Sequence, residues 1–195
     1  MDKIIFFNTK YKDSIEGKIY TSYDAIVLDR YYEYIDPCEG QVYRDFIDYA
    51  AKKTDYFMLV YKNLFGKGFT KRHDYFRKKL NRFKVKSRSN PSWPGTLGQV
   101  APDTTYRVVF YKNTPEAIEV LKEVQGMGDW DLPNPEDLAF FKGNQCWFYS
   151  VGHEMIQGII HADKEDLKFV EEKGLADIAW VEEYSSWYDQ FDEEL

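Results

Sequence analysis

Apolar residues come in short bursts along this chain, and their spacing separates strands from helices. Ile4–Phe7 and Ala25–Leu28 are short, partly β-branched runs bounded by polar residues, and each predicts a strand. Tyr31-Tyr32-Glu33-Tyr34 fits neither template. Asp36-Pro37-Cys38-Glu39 has the cap, first-turn proline and third-position Glu of a capping box, and Val42, Phe46, Tyr49 and Ala50 follow at helical spacing to about Lys53. Tyr56–Tyr61 is a dense strand, after which Gly66 and Gly68 break the chain and a helix opens near Thr70. Its apolar stripe is Phe76, Leu80 and Phe83, while Lys71, Lys78 and Arg82 fall on another face.

The second half alternates more clearly. Ser87–Asp103, with Trp93 set between two prolines, has too many turn formers for regular structure and predicts an exposed or draped loop. Tyr106–Tyr111 is a strand, and Thr114-Pro115-Glu116 starts a helix with Ile118, Leu121 and Val124 on its inner face, stopping at Gly126. Gly128–Asn134 is a loop. Leu138–Phe141 and Cys146–Val151 flank Lys142-Gly143-Asn144-Gln145, which predicts a β-hairpin. By parity Trp147, Tyr149 and Val151 share one face of its second strand, and Cys146, Phe148 and Ser150 the other. A strand at Ile159–Ile160, a helix from Asp163 to about Lys173 closed by Gly174 and Leu175, and a last strand at Ile178–Val181 complete the pattern.

This order predicts one α+β domain over residues 1–195, with a mostly antiparallel or mixed sheet of five to seven strands and about four helices packed on it. Composition supports an unaided core: 195 residues, 44% hydrophobic and 18% aromatic. Cys38 and Cys146 have no metal-type spacing and read as ordinary small apolar residues of a reducing compartment. The first residues lack a signal-peptide run, and no stretch approaches the roughly 20 apolar residues that span a bilayer. A cytoplasmic, non-membrane protein is the expectation.

Charge changes the picture most. Lys67–Arg88 holds ten Lys/Arg against one acid, Asp74, so it carries +9 in a chain of net charge -7 and leaves -16 for the rest. Residues 182–195 hold six acids and no base, with Tyr184, Trp187, Tyr188 and Phe191 among them. Acids mixed with aromatics predict a docked segment and an internal counterpart for the cations. The acidic total argues against simple tracking along a phosphate backbone, although Lys71, Lys78, Arg82, Lys84, Lys86 and Arg88 could make such contacts.

Familiar chemistry is absent. His153-Glu154-Met155-Ile156-Gln157 is half of a zincin helix with Gln157 where the second imidazole belongs, and it follows a strand. Gly66-Lys67-Gly68 lacks the ending of a phosphate-binding loop, and the acids at 129–131 and 163–166 miss an EF-hand register. Cys146 and His153 lie on opposite faces of their strand by parity, a poor nucleophile–base pair. His153 with Glu154 remains a candidate polar pocket beside aromatic residues.

Three stretches, Asn90–Thr96, Pro135–Phe141 and Cys146–Glu154, together resemble a small uncharacterised bacterial protein family, to which no activity attaches. In its acidic, aromatic-rich, single-domain style the chain is also similar to immunity proteins of bacterial toxin systems. No cofactor and no metal are expected. The leading expectation is a non-enzymatic binder of another protein, with Arg77, Arg82, Trp93, Trp147 and Tyr149 as anchors, since interfaces favour Trp, Tyr and Arg. The alternatives are a nucleic-acid-associated protein using residues 67–88, and a small-molecule enzyme with an acid/base pair at His153 and Glu154.

Overall fold

The computed structural model describes residues 2–20, 32–63, 66–96 and 103–195. Most of its strands join one antiparallel sheet of eight: β1 (Lys3–Phe6), β5 (Tyr56–Asn63), β6 (Lys84–Arg88), β7 (Thr105–Lys112), β8 (Glu136–Lys142), β9 (Gln145–Val151), β10 (Ile156–Ala162) and β11 (Glu182–Glu183). Their spatial order is β11-β1-β10-β9-β8-β5-β7-β6. A separate small sheet pairs β2 (Lys10–Asp13) with both β3 (Ile19–Tyr20) and β4 (Tyr32–Ile35). The fold is α+β, as the pattern predicts. Its main sheet exceeds the expected five to seven strands because β6 and β11 carry no apolar alternation that would announce them.

Strict alternation in the central strands builds two cores. Phe57, Leu59, Tyr61, Val109, Tyr111 and Phe140 point to the side covered by α1 (Gly40–Lys53), α2 (Lys71–Leu80), α3 (Pro115–Leu121) and α4 (Lys164–Glu172). Met58, Val60, Val108, Phe110 and Phe141 point to the other side, where Trp93 and Phe191 close over them. Fully burying side chains of this size contributes about 2 kcal/mol each, so the sheet is anchored from both faces. Local chemistry fixes the helices. Thr70 accepts from His73 N to cap α2, Thr114 caps α3, and Asp163 with Asp166 forms the capping box of α4. Leu175 N to Val170 O and Gly174 N to Glu171 O complete the expected Schellman ending.

Several local expectations change. The box predicted at Asp36 does not cap α1, whose N-cap is Glu39; instead Asp36 accepts from Cys38 N, Gly128 N and Gln157 Nε2, tying three segments together. In β9, Phe148 pairs with Phe140 while Cys146 pairs with Phe141, so Trp147 is an extra residue. This bulge breaks parity: Trp147 joins Phe148 on the helix side, and Tyr149 lies on the opposite face. Lys84–Arg88, whose last two residues fall in the stretch expected to be irregular, forms β6. Ile178–Trp180 is a 3-10 turn rather than a strand, and β11 follows it. Ala25–Leu28 lies outside the described residues.

Candidate functional site

Among the described residues, the cations of residues 67–88 divide by what they meet. The outer strand β6 carries a bulge at Val85, so Lys86 and Arg88 turn one way and Lys84 and Ser87 the other. Lys86 reaches Glu193 Oε1 at 2.8 Å, and Arg88 holds Oε2 through Nη2 at 2.8 Å and Nε at 2.9 Å. The acidic C-terminal segment therefore docks as its composition predicts: Phe191 is buried, and Asp192 accepts from Cys146 N. On α2, Lys79 pairs with Glu123 and Arg77 lies 3.6 Å from Asp74. Lys71, Lys78 and Lys84, and Arg107 of β7, form no salt bridge among the described residues, and Arg82 acts on Glu116 only at a distance.

Two of them, Lys84 and Arg107, meet beside the sheet edge, next to the Asp74-paired Arg77. Arg77, Asn81, Lys84, Ser87 and Arg107 line a notch of about 50 Å³ floored by Val109 and Tyr111, with no carboxylate among its described lining residues. Arg77 also borders a shallower hollow with Lys78, Asn81 and Asp74, and its guanidinium rests 5.2 Å over the Phe69 ring. Arg82 lies over Phe83. The aromatic candidates are elsewhere and buried: Trp93, Trp147 and Tyr149 expose 3%, 4% and 5% of their surface, on both sides of the sheet. A buried indole cannot anchor a partner, so of the five proposed anchors only Arg77 and Arg82 are placed to do so.

A second concentration of charge is interior. β8 opens with Glu136 and Asp137, both 1% exposed. Against β5 the register steps from Ala139 opposite Met58 to Glu136 opposite Val60, so β8 holds one extra residue there, and Asp137 takes φ 55°. Aspartate tolerates that left-handed conformation better than most residues. The bulge lets two consecutive acids share one site, whereas a regular strand would point them apart. Asp137 Oδ2 accepts from Trp93 Nε1 at 2.6 Å and Oδ1 from Gly152 N at 3.0 Å. Lys62 bonds Glu136 Oε2 and lies 5.8 Å from the Trp93 ring centre. Glu136 Oε1 has no hydrogen-bond partner among the described residues. Burial outweighs the Lys62 ammonium and carries the Glu136 carboxyl up to about 7; burial likewise raises Asp137, against the pull of its two donors.

Two glycines make this convergence possible. A Cβ on Gly152 would lie 2.2 Å from Trp130 O, and one on Gly95 would meet Val151 Cγ2 at 2.5 Å. Pro94 and Gly95, at φ 82°, form the Trp93–Thr96 turn that lays the indole across the sheet. Thus the three stretches 90–96, 135–141 and 146–154 meet at Asp137. Sequence reading missed both acids, and the available signal was chemical: two adjacent carboxylates opening an otherwise apolar strand must find partners.

His153 stands at the rim of this group on a 3-10 turn, its side chain 50% exposed and 3.6 Å from Glu154 Oε1. One donor atom each from Glu136, Asp137 and His153 lie within 4.8 Å of one another. Gln157, in the place of a missing zincin ligand, binds Asp36 instead and belongs to β10. Cys38 and Cys146 are free and buried, and burial pushes both thiols well up, as structural cysteines require. No helix among the described residues is long and apolar enough to cross a membrane. No family model matches this chain, and neither a curated protein nor a solved structure is similar enough to it to count as a match.

Proposed function

We propose that this chain is a binding protein that takes an acidic segment of another protein along its α2–β6 face. The observation that carries the reading is the notch where Lys84 and Arg107, neither in a salt bridge among the described residues, stand beside the Asp74-paired Arg77 with no carboxylate among the described lining residues, in a molecule of net charge -7. Such a local field steers an acidic partner and rejects cationic ones. β6 is the last strand of the sheet, and its outer edge is unpaired among the described residues, with Val85 48% exposed on it. Lysines and a bulge keep two copies from pairing edge to edge. They favour an acidic strand, which would add backbone hydrogen bonds to ion pairs.

A nucleic acid fits this face less well. Glu123, Asp74 and Glu193 interrupt the row of cations, and the exposed Tyr75 on α2 is committed by its hydroxyl to Glu123. A phosphate backbone rewards an unbroken stripe with free stacking rings. The test compares, by fluorescence anisotropy at low and moderate salt, a labelled peptide of alternating Glu and Val with an oligothymidylate. The peptide binds the wild type, and the pair Lys84→Glu and Arg107→Glu weakens it by about tenfold or more, each ion pair and its repulsive reversal contributing roughly 1 kcal/mol. Tighter binding of the oligonucleotide, or peptide affinity unchanged in the folded double variant, overturns the reading.

A further inference from the structure

The interior carboxylates have a property that core packing does not require. Lys62, Trp93 and Gly152 satisfy three of the four oxygens of Glu136 and Asp137, yet Glu136 Oε1, in a residue 1% exposed, has no hydrogen-bond partner among the described residues. Such an orphaned buried atom is costly to the fold, more so when charged, and marks a place where something else completes the site. Beside it stands His153, brought there by the turn between β9 and β10.

We infer that Glu136, Asp137 and His153 form a binding site for a divalent transition-metal ion, separate from the basic face. Two carboxylates and one imidazole are a donor set for Zn²⁺, Mn²⁺ or Fe²⁺ and a poor one for Ca²⁺, whose ligands are oxygens throughout. The donor atoms lie within 4.8 Å of one another. Donors about 2.1 Å from a tetrahedrally bound ion stand about 3.4 Å apart, so closing the group takes a shift of up to about 1.4 Å. His153, half exposed on its turn, is the member free to move.

The surroundings are those of a supported site. Asp137 keeps lone pairs for an ion while Trp93 Nε1 and Gly152 N fix its orientation, the office of hydrogen bonds around metal-binding carboxylates. Glu154 lies beside the imidazole and can orient it. The bulge with Asp137 at φ 55° is what turns both acids inward together. Lys62 opposes a cation electrostatically, so it should set the affinity rather than abolish it. Three protein donors leave coordination positions for water at the exposed side of His153.

The test titrates the full chain with Zn²⁺ and Mn²⁺ by calorimetry, and with Co²⁺ by visible absorption, using Ca²⁺ as the hard-cation control. One ion binds per chain, and Co²⁺ develops a ligand-field band. His153→Ala lowers affinity about tenfold or more without shifting the unfolding midpoint of the metal-free protein, Glu136→Gln does the same if circular dichroism shows it folded, and Lys62→Met raises affinity. Absence of saturable binding by the wild type, or His153→Ala binding as tightly as the wild type, overturns the inference. So does Ca²⁺ binding as well as Zn²⁺.

Discussion

The α2–β6 cations and the Lys62–Glu136–Asp137 group place charge under opposite conditions. Lys78, Lys84 and Arg107 are in water, where an ammonium or guanidinium costs the fold almost nothing and gains it little. Glu136 and Asp137 are removed from water, where each ion carries a penalty of several kcal/mol unless it is bonded on most sides. The first arrangement leaves charge available to a partner. The second spends it on geometry, joining the Trp93 turn, the start of β8 and the end of β9 at a single carboxylate. Exposed charge can therefore be altered with the fold as spectator, whereas interior charge cannot.

The sharpest way to break that contrast is Asp137→Ala. It orphans Trp93 Nε1 and Gly152 N and sets alanine at φ 55°, so a loss of about 4 kcal/mol is expected in urea unfolding. A loss under about 1 kcal/mol would show that the Trp93 turn holds itself. Next comes the pH dependence of Glu136. Its folded pKa, about 7, is above its ordinary 4.5, so its contribution is fully present below 4.5 and is lost as pH rises through 7, by up to roughly 3 kcal/mol. Thermal unfolding between pH 5 and 8 should fall more steeply for the wild type than for Glu136→Gln. Equal slopes would place the titration elsewhere. The smallest effect belongs to the half-buried Glu193, which joins β6 to the C-terminal segment: Glu193→Gln should lower stability by about 1 kcal/mol or less, read from the unfolding midpoint.

The same contrast governs what could be read in the sequence. The β8–β9 hairpin, the Thr70 and Asp163 caps, and the Gly174 ending of α4 are announced by residues adjacent in the chain. The docking of residues 182–195 on Lys86 and Arg88 is legible from composition, since acids and aromatics together can satisfy cations and a sheet face at once. Trp147 misled because a one-residue bulge reverses parity and leaves no trace in the apolar pattern. Trp93 misled because prolines at 91 and 94 mark a loop without saying whether it lies in solvent or across a core. Glu136 and Asp137 were invisible as a pair with His153 because no spacing rule links positions joined only by two bulges and a turn. A search for ligands along one helix from His153 finds Gln157, when the partners lie in the preceding strand of the hairpin.

Strand order has a consequence for how the chain comes to be. β1 lies between β10 and β11, with Ile5 opposite Ile159 and Ile4 opposite Glu182. β1 therefore waits for both its neighbours until residues 156–183 have been made, while β8 and β9 can zip together as soon as their turn is made. Until then Ile4, Ile5 and Phe7, all buried at the end, travel uncovered. Closure of this half of the sheet must follow synthesis of β10 and β11, and until then β1 is an uncovered apolar strand open to aggregation and to chaperones.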